Sequence, residues 1–571
     1  MAAREEEVDV LVVGSGGGGL AASIRARAAG LDTLVVEKDR VVGGTTALSH
    51  GGIWLPANPL MLEAGLHDSV EDGLTYMQAV VGDQGPATSP ARQAAFIRGG
   101  QRLIRFLRDE GVPFRLVSEY PDYYPESPGG RNDGRMLSTP LLDARRLGAW
   151  HDLPRSRPPL PAGVVMSSVE QFIALLNIGR SRKAKLDVAK IFASSITLRL
   201  RGIKPLVMGQ SYVGHLLAAA QRRGVRIATG TRMRELVVED GRVVGIRAER
   251  NGETLTIRSR HGVVLAAGGF ARNRALRDKF GPQPASADWT AVIQGDTGDP
   301  FLAATAIGAA TSNLDKAYWL PGLMDERGVA QIFIAERVAP HSILVDSSGA
   351  RFTNEAKSYV ELGNDQYARN ETVPAIPAYL VVDAQHRRRT PLGQVLPGMT
   401  PRAWLKSGHL KRAGTLRELA ESCGIDPHGL ERTVARFNQL ARAGVDEDFG
   451  RGDSAYDRVY GDPDHGPNTC LGAIEEAPFY AAKMYPTDVG MAGGLLTDER
   501  AQVLAEDGPP IEGLYACGTS AASCAGDVYP GGGASLAQSS AFGFIAAEQM
   551  AAHAATRIPS DTAGVTIETR G

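Results

Sequence analysis

The sequence predicts an α/β protein in which a Rossmann-like dinucleotide-binding domain is interrupted by an inserted α+β domain. Three observations predict it. Residues 8–13 (VDVLVV) form a short β-branched apolar run, as in a buried parallel strand. Six positions, Gly14-Ser15-Gly16-Gly17-Gly18-Gly19, then lead into a helical stretch, residues 20–29, and a second strand-like run, residues 31–36, that ends on Glu37. Similar apolar runs that end in glycine recur at residues 262–270 (GVVLAAGGF) and 513–518 (GLYACG), so both ends of the chain build one sheet. The plan is a nucleotide domain from residues 1–290 and 475–571, with a catalytic and substrate domain, residues 291–474, between them.

The first element is a G-x-G-x-x-G in its required strand–turn–helix setting, with Glu37 placed 23 residues after Gly14. Gly14, Gly16 and Gly19 let a pyrophosphate approach the helix N-terminus, and Glu37 can accept from both ribose hydroxyls. The fingerprint sits at the extreme N-terminus and is followed by Lys38 and a second glycine turn, Gly43-Gly44-Thr45-Thr46. These features favour FAD over NAD. Residues 240–246 (DGRVVGI) read as a hairpin and strand, and the strand ending at Ala267 and Gly268 closes the adenine side. No second G-x-G-x-x-G unit is visible, which argues against a separate NAD(P)H site.

Composition sets the bounds. The chain has 571 residues, 43% hydrophobic and 22% charged, enough for a large core in more than one unit. With 62 Lys and Arg against 64 Asp and Glu, no overall field recruits nucleic acid. Cys423, Cys470, Cys517 and Cys524 form no C-x-x-C pair, so a metal site is not expected and a reducing, cytoplasmic setting is. The first seven residues are acidic and lack signal-peptide character. No apolar run reaches the ~18 residues that span a bilayer. The polar tail from Arg557 is expected to be mobile.

Substrate chemistry is written in residues 527–533 (DVYPGGG). A phenol O–H at Tyr529 and a glycine N–H nearby can grip one carbonyl oxygen together, which stabilises an enolate more than a resting ketone. A plain glycine turn bearing a surface tyrosine is the bland alternative.

With these pieces in place, the chain resembles the fumarate reductase/succinate dehydrogenase flavoprotein superfamily. Within it, the chain resembles the FAD-dependent 3-ketosteroid Δ1-dehydrogenases. The matching segments are residues 14–37, 43–56 (GGTTALSHGGIWLP), 122–130 (DYYPESPGG), 266–273 (AAGGFARN), 295–299 (GDTGD), 340–359, 493–498 (GGLLTD) and 513–543. The resemblance implies that Tyr529 and the Gly533 N–H hold the steroid C3 carbonyl. It makes Tyr359 the base that takes the C2 proton while hydride leaves C1 for flavin N5, and Tyr123 the phenol that supports Tyr359. Tyr124, next to Tyr123, blurs that assignment. Phe333, ahead of Glu336-Arg337, is the candidate aromatic wall residue. The cofactor set adds Lys38, Gly44, Thr45, Thr46, Gly51, Gly52, Ala267, Gly268, Asp299, Gly518, Ser535 and Leu536. A steroid or related cyclic ketone is the implied substrate, and an external acceptor such as a quinone takes the electrons.

The departures matter too. His50 stands where the family usually has glycine or serine. It admits covalent flavin attachment, as in some relatives of the wider superfamily; the bland reading is an imidazole in the isoalloxazine pocket, with FAD held non-covalently. The loop reads Y-P-G-G-G rather than Y-P-G-P-G, which is expected to loosen it. Pro530 and Gly531 stand where Δ4-dehydrogenases of ketosteroids carry a serine. A flavin-dependent ene-reductase of the fumarate reductase type would need arginine and histidine for a dicarboxylate, and Arg337 and Arg351 keep that reading open. A flavin or sterol carrier without turnover is the non-enzyme alternative.

Residues 163–204 form a basic amphipathic excursion. From residue 180 to 204, eight basic residues face one acid, Asp187, with Ile191, Phe192, Ile196, Leu198 and Leu200 interleaved. Such a surface can lie on anionic lipid at the inner face of a membrane; a helical excursion packed on the flavin domain with a solvated basic face is the alternative.

Overall fold

The structure, a computed structural model, describes residues 4–157, 163–325, 328–393 and 395–556; the tail from Arg557 lies outside them. Strand β1 (Arg4–Val13) begins four residues before the expected run and is buried through Val8, Val10, Leu11 and Val12. It pairs in parallel with β2 (Thr33–Val36) on one side and with strand Glu253–Leu265 on the other. Helix α1 (Gly17–Ala28) connects β1 to β2, the helical crossover that a parallel pair requires.

The sheet has eight strands. Its parallel centre continues from β2 to Arg226–Ala228 and from Glu253–Leu265 to Pro510–Ala516. Thus a strand made more than 470 residues after β1 completes the same layer. Strands Thr231–Glu239 and Arg242–Arg250 form the expected hairpin. Its turn residues Asp240 and Gly241 have φ of 49° and 77°, the left-handed pair that a two-residue hairpin turn demands. The C-terminal helix Ala534–Thr556 packs on α1, and Gly18 faces Gly543 so closely that a Cβ on either would strike the opposing helix backbone.

A second, antiparallel sheet runs Ser342–Val345, Ala378–Val382, Phe479–Met484, Leu410–Ala413. Its third strand lies beyond the expected boundary at 474. Helices Leu416–Cys423 and Pro427–Ala443 cover one face, burying Leu419, Leu430, Val434 and Phe437. No helix among the described residues is long and apolar enough to cross a membrane. The same residues hold no group of His, Cys, Asp and Glu suited to a metal ion.

Candidate active site

One long cavity runs along the carboxyl ends of the parallel strands and is walled by residues from both ends of the chain. The turn after β1 opens it. Gly14 has φ of +103°, and a Cβ there would lie 2.6 Å from the Ala267 Cα, so only glycine fits. Gly16 caps α1 without a side chain, and no acid occupies the first turn, so no negative charge competes with an anion at this helix N-terminus. Thr46 marks that end: its Oγ1 accepts from the Gly17 N–H at 3.1 Å. At the far end of β2, Glu37 is held by Ser15 Oγ at 2.6 Å and the Asp39 N–H at 2.9 Å.

Among the expected cofactor residues, Gly14, Gly16, Glu37, Lys38, Thr45, Thr46, Gly51, Gly52, Ala267, Gly268, Asp299, Gly518, Ser535 and Leu536 line this cavity. Gly19 and Gly44 are not among its lining residues. A Cβ on Gly19 would strike the Gly14 carbonyl, so that glycine serves helix–strand packing. Gly44 has φ of +51° and opens the tight turn Gly44–Leu48. Lys38 donates to Thr297 at 2.8 Å and to Asp299 at 3.0 Å, and Arg232 also grips Asp299. Burial opposes ionisation of Asp299, but these cations win and hold its carboxyl below the usual range.

A second helix N-terminus meets the cavity where Ala534–Thr556 begins, again with no acid in the first turn. Gly533, just before it, has φ of +98° and presses against the Gly52 carbonyl. Two free helix N-termini with Glu37 beyond the first form a cradle that fits FAD, which carries a pyrophosphate, a ribose and a ring that gains negative charge on reduction.

The tyrosines gather at the Gly533 end. Tyr529 O–H lies 2.9 Å from Ser535 Oγ. The Tyr123 O–H donates to Tyr359 at 3.0 Å, with the rings edge to face at 5.4 Å. Both rings pack within 5.6 Å of Tyr529. Burial raises Tyr123 and Tyr359 well above the usual phenol value, so each is neutral in the resting site. Tyr124 is absent from the wall, where Tyr123 stands, and its N–H bonds the Tyr76 hydroxyl. Asp122 fixes that loop by accepting from Trp54 at 2.6 Å and Arg135 at 2.7 Å.

The Y-P-G-G-G loop is not loose. The Pro530 carbonyl accepts from Tyr76 O–H at 2.6 Å and Tyr123 N–H at 3.1 Å, while Gly531 packs flat on the Trp54 indole. Phe333 is also corrected. It is fully buried beside Leu323 and Leu344, and its neighbours Ile332 and Ile334 face the cavity instead. His50 lines the cavity with its ring 4.8 Å from Phe172. Burial, aided by Arg157, lowers it to about 4, so the imidazole is neutral near pH 7. Glu336 and Arg337 are buried off the wall, and Arg351 is tied to Glu355 and Asp446.

The sequence reading missed several wall residues. Tyr120, Tyr318 and Tyr460 complete an aromatic ring around Tyr529 and Tyr359. Asp296, 3% exposed, carries an unpartnered Oδ1 and sits against Gly268. Burial, reinforced by Asp488, pushes it up to about 7. Its place in G-D-T-G-D, between two glycines and three residues before Asp299, was the available signal.

The FAD binding domain family matches residues 9–536. A 3-oxosteroid 1-dehydrogenase of Mycolicibacterium smegmatis is 38% identical over 564 residues, covering 96% of this chain and 98% of that one. A 4-oxocyclohexanecarboxylate 2-dehydrogenase of Sinomonas cyclohexanicum is 34% identical, covering 96% and 93%. The crystal structure of 3-ketosteroid delta1-dehydrogenase from Sterolibacterium denitrificans, in complex with 1,4-androstadiene-3,17-dione, superposes with a TM-score of 0.91 at 35% identity, covering 96% of this chain and 100% of that one.

Proposed function

The chain belongs to the FAD-binding flavoprotein family that includes the 3-oxosteroid 1-dehydrogenases, and from that premise we propose that it is an FAD-dependent oxidoreductase that introduces the C1–C2 double bond of 3-ketosteroids. One observation carries this reading: the Tyr529 hydroxyl, the Gly533 turn and the Tyr123–Tyr359 pair converge on one wall of the cavity.

The Tyr529 O–H and Gly533 N–H bind the C3 carbonyl oxygen and stabilise the negative charge that grows there. That charge acidifies the adjacent C2–H. Tyr359 then takes the C2 proton, with its oxygen oriented by the Tyr123 O–H. The two helix N-termini and Glu37 would hold FAD, which when bound would supply the hydride acceptor for C1. Tyr318, Ile332 and Ile334 line the cavity and would shield a bound steroid ring from water. No serine follows Tyr529 at positions 530 and 531, which favours Δ1 over Δ4 chemistry.

The deciding experiment is anaerobic mixing with androst-4-ene-3,17-dione. Bleaching of the flavin band with appearance of the 1,4-diene is expected. A flavin that stays oxidised, in protein that dithionite reduces, overturns the reading.

The external acceptor is a quinone, since no second dinucleotide motif is present. Rapid reoxidation by menadione and none by NAD tests this. The excursion serves as a peripheral membrane contact. Helix Arg182–Leu200 buries Ala184, Val188 and Ile191 against the protein and exposes Leu186, Phe192, Ile196 and Leu200 beside Lys185, Lys190 and Arg199. The preceding helix Val169–Leu176 supplies Val169 and Phe172 to the cavity wall, so the lipid-facing helix adjoins the substrate site. Serine at 186, 192 and 196 is expected to abolish co-sedimentation with anionic liposomes; unchanged sedimentation refutes the contact.

A further inference from the structure

To grip a ketone, Tyr529 must point its hydroxyl proton into the cavity. Two freedoms stand in the way: the swing of the ring and the rotation of the O–H bond. Packing removes the first. The ring is 5% exposed and is wedged between Tyr123, Tyr359 and Tyr318, whose centroids lie 5.6, 5.5 and 5.4 Å away. The second is met by one residue at two atoms. Ser535 Oγ lies 2.9 Å from the Tyr529 oxygen, and the Ser535 N–H donates to that oxygen at 3.4 Å.

The contact has a backbone origin. The first N–H groups of a helix find no partner inside it. At the start of helix Ala534–Thr556, the Ala534 N–H bonds the Gly531 carbonyl at 3.1 Å and the Ala537 N–H bonds the Gly533 carbonyl at 3.0 Å. Gly533, just before the helix, has no side chain with which to cap it. The Tyr529 oxygen, six residues before Ser535, takes the place of the usual serine or aspartate cap. The next residue, Leu536, lines the cavity with its own N–H unpartnered among the described residues, so this helix end still has a donor for the cofactor. A helix N-terminus carries positive partial charge, which favours a more negative phenol oxygen and hence a more readily donated proton. Burial raises all three phenols, Tyr123 and Tyr359 well above their usual range; at Tyr529 the Ser535 hydroxyl and N–H pull the other way.

We propose that Ser535 is the positioning residue of the ketone grip: its hydroxyl and N–H hold the Tyr529 oxygen as an acceptor, so that the Tyr529 proton faces the substrate and binds harder as the enolate forms. This rests on the reading of Tyr529 as the donor to the C3 ketone. A phenol oxygen has one proton and two lone pairs. With the Ser535 Oγ–H and N–H on the lone pairs, the proton has one outlet, the cavity. Either hydroxyl can be the donor across the 2.9 Å contact, so an arriving ketone reverses that hydrogen bond without breaking it. When the C2–H bond breaks, its electron pair becomes the enolate π bond and the carbonyl π pair moves to the C3 oxygen. Tyr529 keeps its proton and shares it more strongly with that oxygen, while Ser535 stabilises the charge drawn onto the phenol oxygen. The effect is greater for the enolate than for the ketone, so it acts on kcat and not on KM.

The test is a double-variant cycle on the FAD-loaded enzyme with androst-4-ene-3,17-dione, read as kcat, KM and flavin content. Ser535→Ala is expected to lose about tenfold in kcat, with KM within about twofold of the parent and flavin content unchanged. Ser535→Thr keeps the hydroxyl and is expected to restore kcat. In a Tyr529→Phe background, where no phenol oxygen remains to be held, Ser535→Ala is expected to cost less than about twofold. A parent-like kcat in Ser535→Ala overturns the proposal. So does a tenfold loss that persists in the Tyr529→Phe background, or a colourless Ser535→Ala protein, since either assigns the hydroxyl to the flavin. A fully active Tyr529→Phe enzyme overturns the reading of the ketone grip itself.

Discussion

Replacing Glu355 with glutamine is expected to remove about 3 kcal/mol of stability. Glu355 belongs to the N-E-A element, yet it does not reach the cavity. Its carboxylate is fully buried and accepts from Arg351 Nε at 2.8 Å, Arg451 NH1 at 3.1 Å and the Leu344 N–H at 3.1 Å. Burial alone would raise this carboxyl, but the two guanidinium groups overcome it and hold the group at about 2, against an ordinary 4.5. At about 1.4 kcal/mol per pH unit, that separation is worth about 3 kcal/mol at neutral pH. Breaking a buried pair typically costs roughly 3–5 kcal/mol, in agreement. After the change Arg351 keeps Asp446, whereas Arg451 keeps only carbonyls and the Ser342 hydroxyl. At about 2.1 cal/mol/K per residue, melting falls by roughly 2–3 °C if the whole chain unfolds together. It falls by about 8 °C if the antiparallel sheet and its helices, roughly 180 residues, unfold as a unit. The sign with pH follows from the depressed value. The contribution is complete above pH 4.5 and is lost as pH falls from 4.5 toward 2. Thermal melts of both proteins across pH 3–7 measure this. Equal melting temperatures at pH 7, or a difference that fails to narrow below pH 4.5, refute the reasoning.

Three further changes probe the cavity itself. Tyr529→Phe removes one donor to the ketone oxygen, so turnover should fall by about 10²–10³-fold while the protein remains yellow. Gly533→Ala forces a side chain onto a residue at φ +98° that already presses on Gly52, and purification of colourless protein is the expected outcome, read from flavin absorbance. Glu37→Ala removes the carboxylate beyond the first helix N-terminus; a titration of apoprotein with FAD should give at least about a tenfold weaker Kd, the scale of a lost charged hydrogen bond.

The local parts of this site were legible because they follow from short-range constraints. A strand, a turn that tolerates only glycine at residue 14, and a helix fall within consecutive residues, and Glu37 ends the next strand. The pairing of Tyr123 with Tyr359 spans 236 residues and was reached through a family pattern rather than through periodicity. Phe333 was misplaced because an aromatic residue before a charged pair looks like a wall. In extended chain, neighbours alternate sides, and here Ile332 and Ile334 took the cavity while Phe333 took the core. Tyr120 and Tyr460 meet across 340 residues with no motif at either end. The excursion was legible as basic, but its helix Arg182–Leu200 carries apolar residues on both its buried and its exposed sides, so the expected amphipathic split did not form. Val188 and Ile191 are consumed by packing, and Phe192 and Ile196 are not.

The cofactor cradle takes one helix N-terminus from residues 16–17 and the other from residues 533–534, and strand Pro510–Ala516 zips beside Glu253–Leu265. During synthesis the ribosome therefore finishes nearly the whole domain before the groove has its second wall. The emerging polypeptide must keep its apolar strands from neighbours without help from the vitamin-derived ligand. Riboflavin starvation is therefore expected to accumulate full-length, protease-sensitive chains rather than truncated ones, read by limited proteolysis of cell extracts.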